Sequence, residues 1–255
     1  MTADIWSVML KEWSEYAAGA SAGGGSGRGR GVIGVLLIIG IVSIFIPLQL
    51  GHAFFTSPVP VVVDGLFLPY LVLQSVIPDS FAGERERHTL ETLLASRLSD
   101  RAILLGKFGA AVAYGWAAGL VAALLQAVVA NLSPKNASAG SGVAFYPVGV
   151  AIPIVVVGLL MSLLASSVGC LVSLRAATTR QAQLNLSIGY LVLFFAPFII
   201  FQLLPSQTQT DITVALHSAD PTQVFLILVA ILVFLDVVLL LIALARFQRA
   251  RLILD

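Results

Sequence analysis

The stretch SFAGERERHTLETLLASRLSDRAILLGK, residues 80–107, holds nine of the 27 formally charged side chains of a 255-residue chain and stands between two long apolar runs. Its second half places Leu90, Leu93 and Leu94 at i, i+3 and i+4, with Glu91 among the polar positions, which is the spacing of a short amphipathic helix. Thr89 stands where the N-cap of that helix belongs. Ser99, followed by Asp100, is placed to cap the apolar run that comes next. Ahead of the leucines, Glu84, Arg85, Glu86 and Arg87 read as a hydrated extension of the preceding run, able to meet charges on a partner. Three leucines on a helix outside lipid need a surface to bury them, so the segment is expected to be a contact point for a cytosolic protein.

Working outward, the composition bounds the class. The chain is 58% hydrophobic and 11% charged with a mean hydropathy of +0.99, against about 25% charged residues in an average soluble domain. This is the composition of an all-α polytopic membrane protein. The net charge of +1 comes with no basic stripe and interleaved aromatics, so nucleic acid is not an expected partner. Cys170 is the one cysteine and lies mid-run, where it reads as a small packing residue.

Residues 1–18 read as an interfacial amphipathic helix, with Trp6, Met9, Trp13 and Tyr16 on one stripe and Asp4, Ser7, Lys11 and Glu15 on the other. Acids and tryptophans occupy the places that a cleaved signal peptide would fill with a basic start and an apolar stretch. Residues 19–31 form a glycine-rich linker by composition. Gly29, Gly31 and Gly34 match a dinucleotide fingerprint as a string, but no strand precedes them, so the match is rejected. Arg28 and Arg30 are expected against anionic headgroups.

Six apolar runs follow, at 32–50, 59–79, 102–132, 148–174, 184–204 and 222–245, each near the roughly twenty residues that cross a bilayer core. Together they predict a six-helix transmembrane domain over 32–245, interrupted by the cytosolic segment 80–107, with a cytosolic tail over 246–255. Basic residues set the orientation. With the N-terminus inside, thirteen of the fourteen Lys and Arg residues fall on the inner side and only Lys135 on the outer. Both termini are therefore predicted to be cytoplasmic.

Within the runs, Asp64 and Asp236 stand out, because a carboxylate at mid-bilayer costs about 2.5–3.5 kcal/mol on insertion scales. They predict either a polar lining for a transport path or neutral carboxyls hydrogen-bonded to neighbouring helices. Gly115 and Gly119, continued by Ala111 and Ala123, form a small-residue row for close helix packing within the chain. Pro47, Pro69, Pro153 and Pro197 are candidate kinks.

Catalytic and metal-binding patterns are missing from the sequence. His52, His88 and His217 fall outside the runs with no metal-ligand spacing. Gly106-Lys107 ends like a phosphate loop, yet Arg101 stands where the first glycine belongs and Phe108 where Ser or Thr belongs. The chain by itself is not expected to bind nucleotide or hydrolyse ATP.

Residues 83–99, GERERHTLETLLASRLS, followed by Gly106-Lys107, closely resemble the signature of the ABC type-2 permease family, the membrane subunits of ATP-driven exporters. That pattern runs E-R-E-x-G-T-L-E-x-L-L-x-S-P-L-S and ends in a G-K pair; here His88 replaces the usual glycine and Arg97 the usual proline. The resemblance implies a prokaryotic multi-pass cell-membrane protein that pairs with a second permease copy or close homologue. It also implies an ABC ATPase subunit that carries ATP and magnesium and receives the coupling segment. On that reading Glu84, Arg85, Glu86, Arg87, Thr89, Leu90, Glu91, Leu93 and Leu94 form the ATPase contact. The exported substrate, whether ion, drug, lipid or glycan, is left open. The alternative is a membrane-embedded enzyme, or an anchor that recruits a cytosolic protein.

Overall fold

A computed structural model describes residues 2–21, 27–87, 99–136 and 142–246, and among these every regular element is helical. The longer elements are α1 (Thr2–Ser21), α2 (Gly27–Leu50), α3 (Val61–Glu86), α4 (Asp100–Asn131), α5 (Val148–Arg175), α6 (Thr179–Leu203), α7 (Ser206–Ser218) and α8 (Pro221–Arg246). Of these, α3, α4, α5, α6 and α8 are long and apolar enough to cross a membrane. The first predicted run lies within the 24 residues of α2, whose part Gly40–Leu50 is an apolar helical stretch. The glycine-rich stretch is shorter than its composition suggests, since α1 reaches Ser21 and α2 begins at Gly27. Thr89, Leu90, Glu91, Leu93 and Leu94, with His88, lie outside the described residues.

The centre of the bundle is α3, α4 and α5. Half of the most apolar window of α3 is buried against other helices, compared with 6% for α6 and 11% for α8, so the last two turn most of their surface to the surroundings. The predicted row on α4 explains the close fit of α3. A Cβ on Gly115 would stand 2.7 Å from the Leu73 side chain, and one on Gly119 would stand 3.1 Å from the Asp64 carbonyl oxygen. Ala111 joins Tyr70, Leu73 and Ile77 in one core cluster, and Ala123 joins Phe54 and Phe55 in another. Cys170 is buried with Phe81, Ile103, Leu104 and Phe108, as a packing residue should be.

α3 is not a regular α-helix. Its turns widen to π geometry over Val61–Phe67 and again over Asp79–Gly83, on either side of the α-helical stretch Leu68–Val76. Pro69 and Pro78 stand at these transitions, and a proline has no N–H to close the ordinary i→i−4 bond.

α1 is helical over the stretch that the sequence reading makes an amphipathic helix. It packs along α4 through Val8, Glu12 and Tyr16, while Trp6 is 56% exposed. Trp13 and Tyr16 set their rings against Tyr114 of α4, with centroids 5.9 and 5.4 Å apart. Gly106 permits this approach, because a Cβ there would come within 2.7 Å of Val8 and 3.1 Å of the Ile5 carbonyl oxygen.

Candidate functional site

Glu84, Arg85, Glu86 and Arg87 end α3, and each of the four side chains is held by a different part of the molecule. Glu84 accepts from the Lys107 ammonium of α4 at 2.9 Å. Arg85 donates to the carbonyl oxygens of Ala176 and Leu174 at 2.9 and 3.0 Å, closing the C-terminus of α5, where carbonyls have no partner within the helix. Glu86 accepts from the Thr179 hydroxyl at 2.9 Å and the Thr179 N–H at 3.3 Å, which places a carboxylate at the N-terminus of α6. Arg87 turns back to Asp79 at 2.7 Å. These hydrogen bonds hold the Arg87 guanidinium above its ordinary pKa.

The expectation of a fully hydrated stretch is corrected for the first half of the run. Glu84 is buried and Arg85 half-buried, because the helix ends converging here carry unpaired backbone groups and a lysine that need these partners; Glu86 and Arg87 remain exposed.

Lys107 is the hub of this junction. Its ammonium lies 2.6 Å from a Glu12 oxygen on α1 as well as 2.9 Å from Glu84, with the Lys107 and Glu12 side chains no more than 3% exposed. The ammonium is also 5.4 Å from the centre of the Phe81 ring. Two carboxylates thus share one ammonium in a buried space, where each charged group depends on its partners. Next to it the Tyr16 hydroxyl lies 3.4 Å from the Ser80 hydroxyl. Burial first, then the Glu12 charge, push the Tyr16 phenol well above its ordinary range and keep it protonated.

Ser173 of α5 completes the junction. Its hydroxyl accepts from the Phe81 and Ala82 N–H groups at 3.2 and 3.0 Å and donates to the Pro78 carbonyl at 3.0 Å, serving backbone groups that the π-turn would otherwise leave unpaired.

Nothing in the sequence pointed to Glu12 or Ser173, which lie 95 and roughly 90 residues from their partners. The G-K pair was visible, and its chemistry is now explicit. Gly106 admits α1, and Lys107 binds α1 to α3.

The two carboxylates within the spans occupy different surroundings. Asp64 is 1% exposed in the first π segment, and the Gln126 amide of α4 donates to its Oδ1 at 2.8 Å. The same amide lies 3.4 Å from the Ser43 hydroxyl of α2. The Asp64 carbonyl oxygen is packed between Gly119 of α4 and Gly158 of α5. Asp64 Oδ2 and Gln126 Oε1 have no hydrogen-bond partner among the described residues.

Asp236 shares a stripe of α8 with Leu232 and Leu239, the stripe that packs against Val157, Leu160 and Leu164 of α5. It is 7% exposed, and neither carboxylate oxygen has a hydrogen-bond partner among the described residues. At the other end of α4, His52 contacts Asn131 at 3.2 Å and Asn136 accepts from the His52 N–H at 3.0 Å, so that histidine is a loop-fixing group.

Comparison with known proteins adds two findings. The family model described as ABC-2 family transporter protein matches residues 78–233, beginning just ahead of the Glu84–Arg87 junction and ending within α8. The ABC transporter permease protein NatB of Bacillus subtilis (strain 168) is 29% identical over 150 residues, which cover 55% of this chain and 38% of that protein. The matched stretch thus spans well under half the length of that relative.

Proposed function

The chain belongs to the ABC-2 family of transporter proteins, and from that premise we propose that it is the permease of an ATP-driven exporter whose ATPase is a separate protein. In this reading both termini face the cytoplasm and two permeases, identical or homologous, form the pathway. ATP and magnesium are bound by the partner, and the segment 80–107 docks in a groove of that partner through Leu90, Leu93 and Leu94. Glu86, Arg87 and Glu91 border the contact as its polar rim, while Glu84 and Arg85 act behind it.

The observation that carries the proposal is the tethering of Glu84, Arg85 and Glu86 to α4, α5 and α6. A segment displaced by a partner would pull on three helices at once, and on α1 through Lys107 and Glu12. A passive loop or a simple recruitment anchor has no use for such linkage. For the enzyme alternative, the hydroxyl–carboxylate hydrogen bond from Thr179 to Glu86 lies at the start of α6, where it serves the helix end, so it offers that reading no support.

Leu93→Asp tests the contact. Burying one leucine is worth about 1.5–3 kcal/mol, and an aspartate would add an unpaired charge to the interface. The variant, co-expressed with a candidate ABC ATPase partner that co-purifies with the wild-type chain, is expected to insert normally but to lose co-purifying ATPase by at least about tenfold. Lys135→Asp, at the opposite end of α4, should not. Retention of the partner and of coupled ATP turnover by Leu93→Asp would sink the proposal.

A further inference from the structure

A cavity of about 390 Å³ opens in the cleft between α6 and α8, with α5 as its floor. Leu171, Val172 and Arg175 line it from α5, Asn185 from α6, and Ile242 and Arg246 from α8. It lies at the end of the bundle where Arg85 closes α5, since Arg175 and Arg246 are the last residues of their helices. A basic residue in a last turn is ordinarily explained by the helix dipole. That accounts for one arginine per helix, but not for two arginines lining one cavity whose lining includes no carboxylate. Among the described residues neither arginine forms an ion pair.

We propose that this cleft binds an anionic phospholipid, with its phosphate between Arg175 and Arg246 and its glycerol end against Leu171, Val172 and Ile242. The two zones of the cavity match the two ends of such a molecule. A phosphate would supply the negative charge that neither arginine meets among the described residues, and Asn185 adds a neutral hydrogen-bonding group. The apolar floor, in contrast, offers nothing to a soluble anion and would stay wet beneath one. The volume is enough for a headgroup and the start of the chains but not for a whole lipid, and the rest of this chain leaves most of the apolar surface of α6 and α8 uncovered, along which the remainder of the chains would lie. Basic pockets between spans at the headgroup level recognise anionic lipids by this combination. The inference rests on the chain being a membrane subunit and does not depend on its coupling to an ATPase.

The test uses the full chain purified in a non-ionic detergent without the ATPase, so its result is independent of the Leu93→Asp experiment. Phosphatidylglycerol or phosphatidylcholine is added, and bound lipid is counted by native mass spectrometry. The wild-type chain should retain phosphatidylglycerol in preference to phosphatidylcholine. Arg175→Gln and Arg246→Gln should each weaken that retention about fivefold. Lys135→Gln should leave it unchanged. Asn185→Asp, which adds negative charge while keeping both arginines, should also lower phosphatidylglycerol binding and leave phosphatidylcholine unaffected, so the proposal can be judged even if an arginine variant fails to fold. Equal retention of the two lipids, loss of binding in Lys135→Gln, or insensitivity to all three cleft variants would overturn it. Displacement of the lipid by inorganic phosphate would overturn it as well, by assigning the arginines to a soluble anion.

Discussion

At the scale of single residues, the most informative groups are those whose burial is at odds with their chemistry. Asp236 is 7% exposed with no hydrogen-bond partner among the described residues, on a stripe otherwise occupied by leucines. An ionised carboxylate there is expensive, and a group kept at such a cost is a candidate for function. We therefore place Asp236, and with it Asp64, on the transport path as a hypothesis. Asp236→Asn keeps the shape and removes the ionisable group. It is expected to change unfolding stability by no more than about 0.5 kcal/mol while lowering transport or substrate-stimulated ATP turnover several-fold. A variant that becomes more stable and transports normally would reduce Asp236 to a tolerated packing residue. Neither carboxylate was hidden in the sequence, but their surroundings were. The Gln126 amide that meets Asp64 lies 62 residues away and is one polar residue among many.

At the scale of elements, the junction of α1, α3 and α4 depends on one cation. Lys107 is 2.6 Å from Glu12 and 2.9 Å from Glu84, and removing it would leave two carboxylates facing each other in a buried space. Breaking a buried pair by deleting one partner costs about 3–5 kcal/mol, whereas replacing all partners by neutral groups is often tolerated. Lys107→Met is thus expected to destabilise the detergent-solubilised protein by about that amount, read as a fall in its thermal unfolding midpoint. Adding Glu12→Gln and Glu84→Gln should restore most of the loss. If Lys107→Met alone costs under about 1 kcal/mol, the ion cluster does not hold α1 in place. The amphipathic pattern of α1 was legible, but which stripe faces inward was not. Helical periodicity places Val8, Glu12 and Tyr16 on one face and leaves open whether lipid or protein covers it. Gly106, whose missing side chain admits Val8, decides that question.

At the scale of the whole molecule, the proposed orientation of the helices in the bilayer rests on charge. Thirteen of fourteen basic residues fall on the side predicted to be cytoplasmic. With Cys170→Ser as background, single cysteines at Lys135 and Gln207 should react with an impermeant maleimide in intact cells. A cysteine at Thr178 should react only after the cells are opened. Labelling at Thr178 from outside would invert the topology and, with it, the assignment of the Glu84–Arg87 junction to the ATPase side.

Hydropathy and spacing alone predicted a helical membrane protein, most of the boundaries of α3, α4, α5, α6 and α8, and the Ser99 cap that accepts from the Ala102 N–H at 3.2 Å, while the order of residues in the charged insert resembled the family that the match over residues 78–233 shows. These properties are local. A span is recognised by twenty consecutive residues, a cap by four, and a signature by its own order. What only the tertiary structure decided is which charges are in water. Glu84 and Glu86 are identical in the sequence and two positions apart, yet one is buried against a lysine of α4 and the other is exposed at the start of α6. That difference arises from which helices meet the π-widened end of α3, with α4 bringing Lys107 to Glu84 and α6 bringing Thr179 to Glu86, and no spacing within the insert encodes it.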